Sequence, residues 1–333
     1  VEIDEECDWI QLADTRAVVD TEVNFTVAKN ESLEGRSAEI YFVSELGTDT
    51  ITVSQEGNKN AIITFANENF KKFLRKRKLD LNNDAQFTLA ELEAITELTL
   101  WTRVKSDFYT FSTDAIADLS DLQYLTNLEY LDIQGVPATL KSIDLSKNTK
   151  LRSLNCANTA ITAIDLSNNT ELEELNLSAT KISSIDLSKN TKLTTVYCQN
   201  NALTEVTFAA NSKITDLNVA YNQLSAIDAA AYASATTLNV SNNQLAALDV
   251  TAATALTELN AENNILAEID LSKAAKLTSL NLTQNALTEL NLNGCSALVE
   301  LNVAKNALTS VDLGGCPALE SANISENAVE TLV

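Results

Sequence analysis

Leu172-Glu173-Glu174-Leu175-Asn176-Leu177-Ser178-Ala179-Thr180-Lys181-Ile182-Ser183-Ser184-Ile185-Asp186-Leu187-Ser188-Lys189-Asn190-Thr191-Lys192 is the stretch on which the fold turns. Its apolar residues fall at positions one, four, six, eleven, fourteen and sixteen of a 21-residue unit. Leu175-Asn176-Leu177 and Ile185-Asp186-Leu187 both alternate apolar and polar, the period of two that marks extended chain. The unit recurs without insertion, starting at Leu151, Leu172, Leu193, Ile214, Ala235, Leu256, Leu277, Leu298 and Leu319. Two irregular starts, Ile95 and Leu128, lead into these nine, giving about eleven coils over residues 95–333. Each unit buries its apolar edge only against its neighbours, so the chain is expected to stack into a mainly β solenoid with little helix.

Outside the apolar positions, the unit carries turn and backbone chemistry. Ser188-Lys189-Asn190-Thr191 is a turn signal. Position nine is Asn in seven successive coils, from Asn201 to Asn327. An amide stacked in this way is expected to satisfy backbone groups where the chain leaves the strand. Thr159 and Thr180 take its place in the first two regular coils. The pattern Leu-x-x-Leu-Asn-x-x-x-Asn-x-Leu-x-x-Ile-Asp-Leu-Ser resembles the leucine-rich-repeat superfamily, specifically internalin-like surface proteins of the Bacteroidetes type, over residues 95–333. That resemblance implies a leucine-rich-repeat solenoid in a secreted or cell-surface binding protein.

Composition narrows the functional classes. A formal charge of −23 and a pI near 4.3 repel phosphate backbones and anionic membranes, so nucleic acid is not an expected partner. The chain has no His, which removes Ser-His-Asp and Cys-His catalysis together with the commonest general base. Acidic pairs such as Glu173 and Glu174 adjoin in sequence and therefore point to opposite faces of a strand. No enzyme is expected. No apolar run is long enough to cross a membrane, and the start at Val1 reads as a processed chain; the internalin-like resemblance implies a bacterial outer-surface protein, lipid-anchored before processing. A monomer is expected. Of the five cysteines, Cys156 and Cys198 sit two coils apart at one inward position, roughly 10 Å and too far to bridge. Cys295 and Cys316 are one coil apart, where either a bridge or core packing fits. Cys7 has no obvious mate.

Residues 58–94 read as a small helical cap. Phe70, Phe73 and Leu74 precede a polar loop at helical spacing, and Leu89, Leu92 and Ile95 follow it. The loop places Asp80, Asn82, Asp84, Thr88 and Glu91 at positions one, three, five, nine and twelve, with Gln86 offering its carbonyl, as in an EF-hand. Ca²⁺ is the cofactor this spacing suggests, and none is otherwise required. Ala85 stands where the sharp turn prefers Gly. The other reading makes Thr88 and Glu91 a capping box for the second helix. This is also the one segment where bases outnumber acids, seven to five, with Lys71, Lys72, Arg75, Lys76, Arg77 and Lys78 expected on a solvated helix face. The segment resembles the helical N-terminal caps of internalin-like proteins.

Residues 1–57 carry alternating runs such as Val23-Asn24-Phe25-Thr26-Val27 and Glu39-Ile40-Tyr41-Phe42-Val43, the signature of a small β-sandwich-like domain. Together with Trp9-Ile10, Arg36-Ser37-Ala38 and Ile51-Thr52-Val53-Ser54-Gln55-Glu56-Gly57, they resemble the second half of a BACON domain, which implies carbohydrate binding. Sugar sites commonly use an exposed aromatic platform. Trp9 is expected in the core instead, so a spacer role is the reading preferred for this segment.

Position five of the solenoid is a nearly unbroken Asn lane and position three is polar or acidic, so Tyr197 and Tyr221 stand out. A concave-face site is expected at Thr195, Tyr197, Asp216, Asn218 and Tyr221. A second candidate is the expanded first coil, where Trp101, Phe108, Tyr109 and Phe111 concentrate aromatics in a chain with few of them. The expected partner is a protein or glycan at the cell surface. The alternative is a structural spacer with no dedicated ligand.

Overall fold

The computed structural model describes residues 2–3, 7–12, 25–44, 47–100, 116, 118–136, 140–210 and 212–332. In chain order its strands begin with β1 (Glu2–Ile3), β2 (Ile10–Leu12), β3 (Phe25–Val27), β4 (Arg36–Ser44) and β5 (Gly47–Gln55). Two helices follow, α1 (Glu68–Lys76) and α2 (Leu89–Glu93). The repeat region contributes β6 (Glu97–Thr99), β7 (Tyr130–Asp132), β8 (Ser153–Asn155), β9 (Glu174–Asn176), β10 (Ser184–Leu187), β11 (Thr195–Tyr197) and β12 (Glu205–Phe208). It continues with β13 (Asp216–Asn218), β14 (Thr237–Asn239), β15 (Glu258–Asn260), β16 (Ser279–Asn281), β17 (Glu300–Asn302), β18 (Ser310–Val311), β19 (Ser321–Asn323) and β20 (Thr331–Leu332). The chain forms two compact units, Val1–Thr64 with Lys78–Leu92, and Phe65–Arg77 with Glu93–Val333. The expected cap segment 58–94 is therefore shared between the units, with α1 belonging to the solenoid.

In the first unit, β1, β4 and β5 form one antiparallel sheet and β2 and β3 another. Trp9, Ile10, Ala38 and Ile40 make the core between them. Trp9 is buried, and the Arg36 guanidinium lies 4.2 Å above its ring. Arg36 also bonds Gln55 Oε1, so the indole is covered by a fixed cation and offers no sugar platform. In the loop before α2, Thr88 Oγ1 accepts from the Glu91 N–H at 3.3 Å while Glu91 Oε2 accepts from the Thr88 N–H at 2.9 Å. The capping box is thus formed.

In the second unit, every regular coil contributes one strand to a parallel sheet that is eleven-stranded among the described residues, ordered β6-β7-β8-β9-β11-β13-β14-β15-β16-β17-β19. Register is constant: Thr195 pairs with Asp216 and Tyr197 with Asn218. The inward positions are sealed, as Leu172, Leu175, Leu177, Ile182, Ile185 and Leu187 are each 5% exposed or less. Each such side chain is worth about 1.5–3 kcal/mol in burial, which one coil alone could not realise. The second extended segment of each coil becomes a paired strand only at β10·β12 and β18·β20 among the described residues. After β12, the Asp228 side chain caps a 3₁₀ turn over Ala229–Ala231 and takes the chain out of extended geometry.

Three columns of side chains hold the coils in register. At position nine, Asn222 Nδ2 donates to the Cys198 and Val219 carbonyls at 3.0 Å each, and its Oδ1 accepts from the Leu203 N–H at 3.0 Å. The same set repeats at Asn243, Asn264, Asn285 and Asn306. Thr159 and Thr180 keep the bond to their own coil's carbonyl, and Thr180 also meets Asn201 Oδ1 in the next coil. A second ladder, Asn148, Asn169 and Asn190, is fully buried, and each Nδ2 bridges two carbonyls, Leu145 and Asn148 in the case of Asn169. A third column runs through Thr194, Thr215, Thr236, Thr257 and Thr278, whose hydroxyls each donate to the carbonyl one coil earlier. The position-nine bonds satisfy backbone groups that burial would otherwise leave unpaired, while the Thr hydroxyls add to carbonyls that already accept a backbone N–H.

Helix α1 starts at Asn67, whose side chain accepts from the Asn69 and Phe70 N–H groups, and it buries Phe70, Phe73 and Leu74. Just before it, the buried carboxylate of Asp121 accepts from the Ala66 and Asn67 N–H groups at 3.0 Å each. The 3₁₀ turn Ser120–Tyr124 is thereby tied to the cap helix.

Candidate binding face

Because residues alternate across a strand, positions three and five of each coil face outward from the sheet. Position five turns out to have a backbone duty. The Oδ1 of Asn155, Asn176, Asn218, Asn239, Asn260, Asn281, Asn302 and Asn323 accepts from the N–H two residues on, turning the chain out of its strand. Asp132 makes the same bond to Gln134. Tyr197 breaks the series.

A groove of about 520 Å³ lies over the N-terminal five strands of this face, lined by Glu97, Tyr130, Asp132, Ser153, Glu174, Asn176, Thr195 and Tyr197 among others. Tyr130 is 43% exposed on β7, next in register to Glu97. Tyr197 Oη donates to Asp216 Oδ2 at 2.5 Å, one strand across. That bond, with burial and the charges of Asp216 and Glu174, pushes the Tyr197 phenol up to about 12. The phenol therefore stays protonated and a donor, with Tyr197 lining the groove at its β11 end. Glu174 Oε2 accepts from Ser153 Oγ. The charged side chains lining the groove, Glu97, Asp132 and Glu174, are all acidic. Over the last three strands of the face lies a smaller concavity of about 300 Å³, lined by Ser, Asn, Leu and Glu300 without an aromatic.

Of the expected site, Thr195, Tyr197, Asp216 and Asn218 come together on β11 and β13. Thr195 and Tyr197 line the groove, and Asp216, Asn218 and Tyr221 are not among its lining residues. Tyr221 occupies position eight, where the chain turns away after the strand, with φ +53° and 56% exposure. All nine regular coils have a positive φ at this position, filled by Asn158, Ala179, Asn200, Tyr221, Asn242, Asn263, Gln284, Lys305 and Glu326. A left-handed conformation costs a non-glycine residue roughly 1–2 kcal/mol, which Asn tolerates best and a bulky Tyr least. Trp101, Phe108, Tyr109 and Phe111 lie outside the described residues. Tyr130 was missed by sequence reasoning because the coil at Leu128 stands off the 21-residue register; its signal was an aromatic two residues after a coil start.

In the acidic loop, Asp80 Oδ2 accepts from the Ala85 N–H at 3.1 Å, Asn82 Oδ1 from Asp84 and Asp84 Oδ1 from Gln86. Asn83 and Ala85 both take positive φ, so Ala makes the sharp turn that Gly would make without strain. Glu91 is turned to Thr88. Among the described residues no three His, Cys, Asp or Glu side chains gather closely enough to hold a metal ion. The five cysteines are free thiols, and Cys316 Sγ lies 3.8 Å from the Leu292 carbonyl. Burial pushes the Cys198 thiol up to about 12 and Cys295 up to about 11.

Residues 1–56 match the family BACON, described as "Putative binding domain, N-terminal", and residues 149–190 match the family described as leucine-rich repeats (2 copies). Among solved structures, the functional domain of InlJ from Listeria monocytogenes, described as including a cysteine ladder, is 25% identical with a TM-score of 0.65. That match covers 74% of this chain and 55% of the InlJ chain. YopM from Yersinia enterocolitica is 26% identical with a TM-score of 0.54, over 62% of this chain and 44% of that one. The LRIM1/APL1C complex gives 20% identity and a TM-score of 0.53 over 62% of this chain and 40% of that one, a likeness of fold. The chain thus spans about half the length of the InlJ and YopM chains it matches. No curated protein matches it. The fold is that of an internalin-like leucine-rich-repeat solenoid with a BACON-like segment ahead of it, an architecture suited to binding.

Proposed function

We propose that the chain is a non-catalytic, extracellular or cell-surface binding protein whose partner is a protein seated on the β6–β11 groove. The observation that carries this is that Tyr130 and Tyr197, three strands apart, both line the groove over the N-terminal strands, since protein hot spots favour Tyr. Absence of His and the opposed placement of neighbouring carboxylates support a binding role without chemistry. No helix among the described residues is long and apolar enough to cross a membrane. The C-terminal coils support the spacer reading for their part of the solenoid, because the concavity over their last three strands has no aromatic lining.

The test is a titration of the captured surface partner against the full chain. Tyr130→Ala and Tyr197→Ala should each weaken binding about tenfold or more, the scale of a hot spot of about 1.4 kcal/mol or above. Unchanged affinity in both variants would remove the groove. The Asp80–Glu91 loop is proposed as a Ca²⁺ site on separate grounds: the Asp80–Ala85 bond and the positive φ at Ala85 close it as an EF-hand loop closes. Glu91 would have to leave Thr88 to ligate. Millimolar Ca²⁺ should raise the melting temperature, reversed by chelator; no shift retires the site.

A further inference from the structure

Resting on that reading of the groove, we propose that its occupant is an extended, Lys- or Arg-bearing peptide segment of the partner, lying across the strands. The groove's walls are acidic at Glu97, Asp132 and Glu174, and no basic side chain lines it. Arg77 reaches the Thr99 carbonyl at the β6 end without lining the groove. Five strands spaced about 4.8 Å apart span about 19 Å, the reach of roughly six residues at about 3.3 Å each. Glu97 and Glu174 stand in one lane three strands apart, about 14 Å, which matches two side chains on the same side of an extended peptide four residues apart. Tyr130 lies between them in register, its exposed ring placed to receive a cation. Neutral sugars would also use Tyr and carboxylates, but they draw nothing from a groove whose charges are all of one sign.

The experiment titrates fluorescein-labelled hexalysine into the full chain at fixed ionic strength, beside hexaglutamate and a neutral β-linked hexasaccharide. The groove variant is E97Q/D132N/E174Q; its Asp132→Asn change keeps a side-chain oxygen for the strand-exit bond, which Asn155 makes with an amide in the next coil. The matched control is E258Q/E300Q/E320Q, which removes equal charge from distant coils. Hexalysine should bind, and the groove variant should weaken it about tenfold or more while the control stays within about twofold. Equal weakening by both triples would assign the binding to the general field of the chain and overturn the proposal. Saccharide binding without hexalysine binding, lost in Tyr130→Ala, would also overturn it while leaving the groove as the binding face. Loss of the captured partner in the Tyr variants but not in the groove triple would have the same meaning.

Discussion

Tyr197 Oη donates to Asp216 Oδ2 across adjacent parallel strands, and this is the one place among the described residues where the position-five lane bonds a carboxylate of the neighbouring strand through a phenol. Tyr197 stands where the other regular coils have the Asn that bonds the strand-exit N–H, and the chain still turns out at Asn200 with φ +59°. The bond also fixes the Tyr197 ring at the end of the groove.

The Tyr197 phenol should ionise near pH 12, above its ordinary value of about 10, and Asp216→Asn should bring it back toward that value. The folded pKa is raised, so the stability it contributes is complete below about pH 10 and is lost as pH rises through about 12. Ultraviolet titration of the wild type and Asp216→Asn checks this; identical phenolate curves would deny the bond.

Asn222→Ala should destabilise the solenoid by about 1–3 kcal/mol, since it strands the Leu203 N–H and removes one of the two amide donors that the Cys198 and Val219 carbonyls each accept from, Asn201 and Asn243 keeping the other. Asn222→Thr should cost less, because Thr180 shows a hydroxyl keeping one of these bonds. Urea denaturation of the two variants decides the order.

Tyr221→Asn should stabilise the fold by about 0.5–1 kcal/mol, as Asn fits a left-handed backbone better than Tyr. A loss of stability would mean that the Tyr221 ring makes contacts worth more than its backbone strain. Differential denaturation against Asn242→Ala, where the reverse sign is expected, provides the internal comparison.

Acid should weaken the solenoid through one column. Asp144, Asp165, Asp186 and Asp270 are held below the usual carboxylate range chiefly by the backbone N–H two residues on, and Asp249 chiefly by the Thr251 hydroxyl. Their folded pKa values are depressed, so the stability they give is present above about pH 4 and is lost as pH falls through the lower folded values. Melting followed from about pH 6 to about pH 2 should fall, and a variant with Asn at all five positions should fall less. Asn291 already makes the same turn without a charge.

Most of the solenoid was legible because its cause is periodic. A leucine-rich unit of 21 residues with six inward positions leaves one way to bury them, and Asn at position nine announced its role by recurrence. Other features were hidden because their residue types vary or mislead. Position eight takes Asn, Ala, Tyr, Gln, Lys or Glu, so nothing in composition reveals the left-handed backbone that placed Tyr221 away from the groove. Asn169 and Asn190 looked like turn residues, and only burial shows the second ladder. Asp121 lies 54 residues from the Asn67 N–H it accepts, a contact no local pattern encodes. Tyr130 escaped because the early coils leave the 21-residue register.

The central claim is that binding is concentrated on the N-terminal half of the sheet face. Hydrogen–deuterium exchange of the chain with and without its captured partner tests it most directly. Protection should appear over 97–99, 130–132, 153–155, 174–176 and 195–197, with 258–260, 279–281 and 300–302 unchanged. Protection confined to the C-terminal strands, or spread evenly along the sheet, would contradict it.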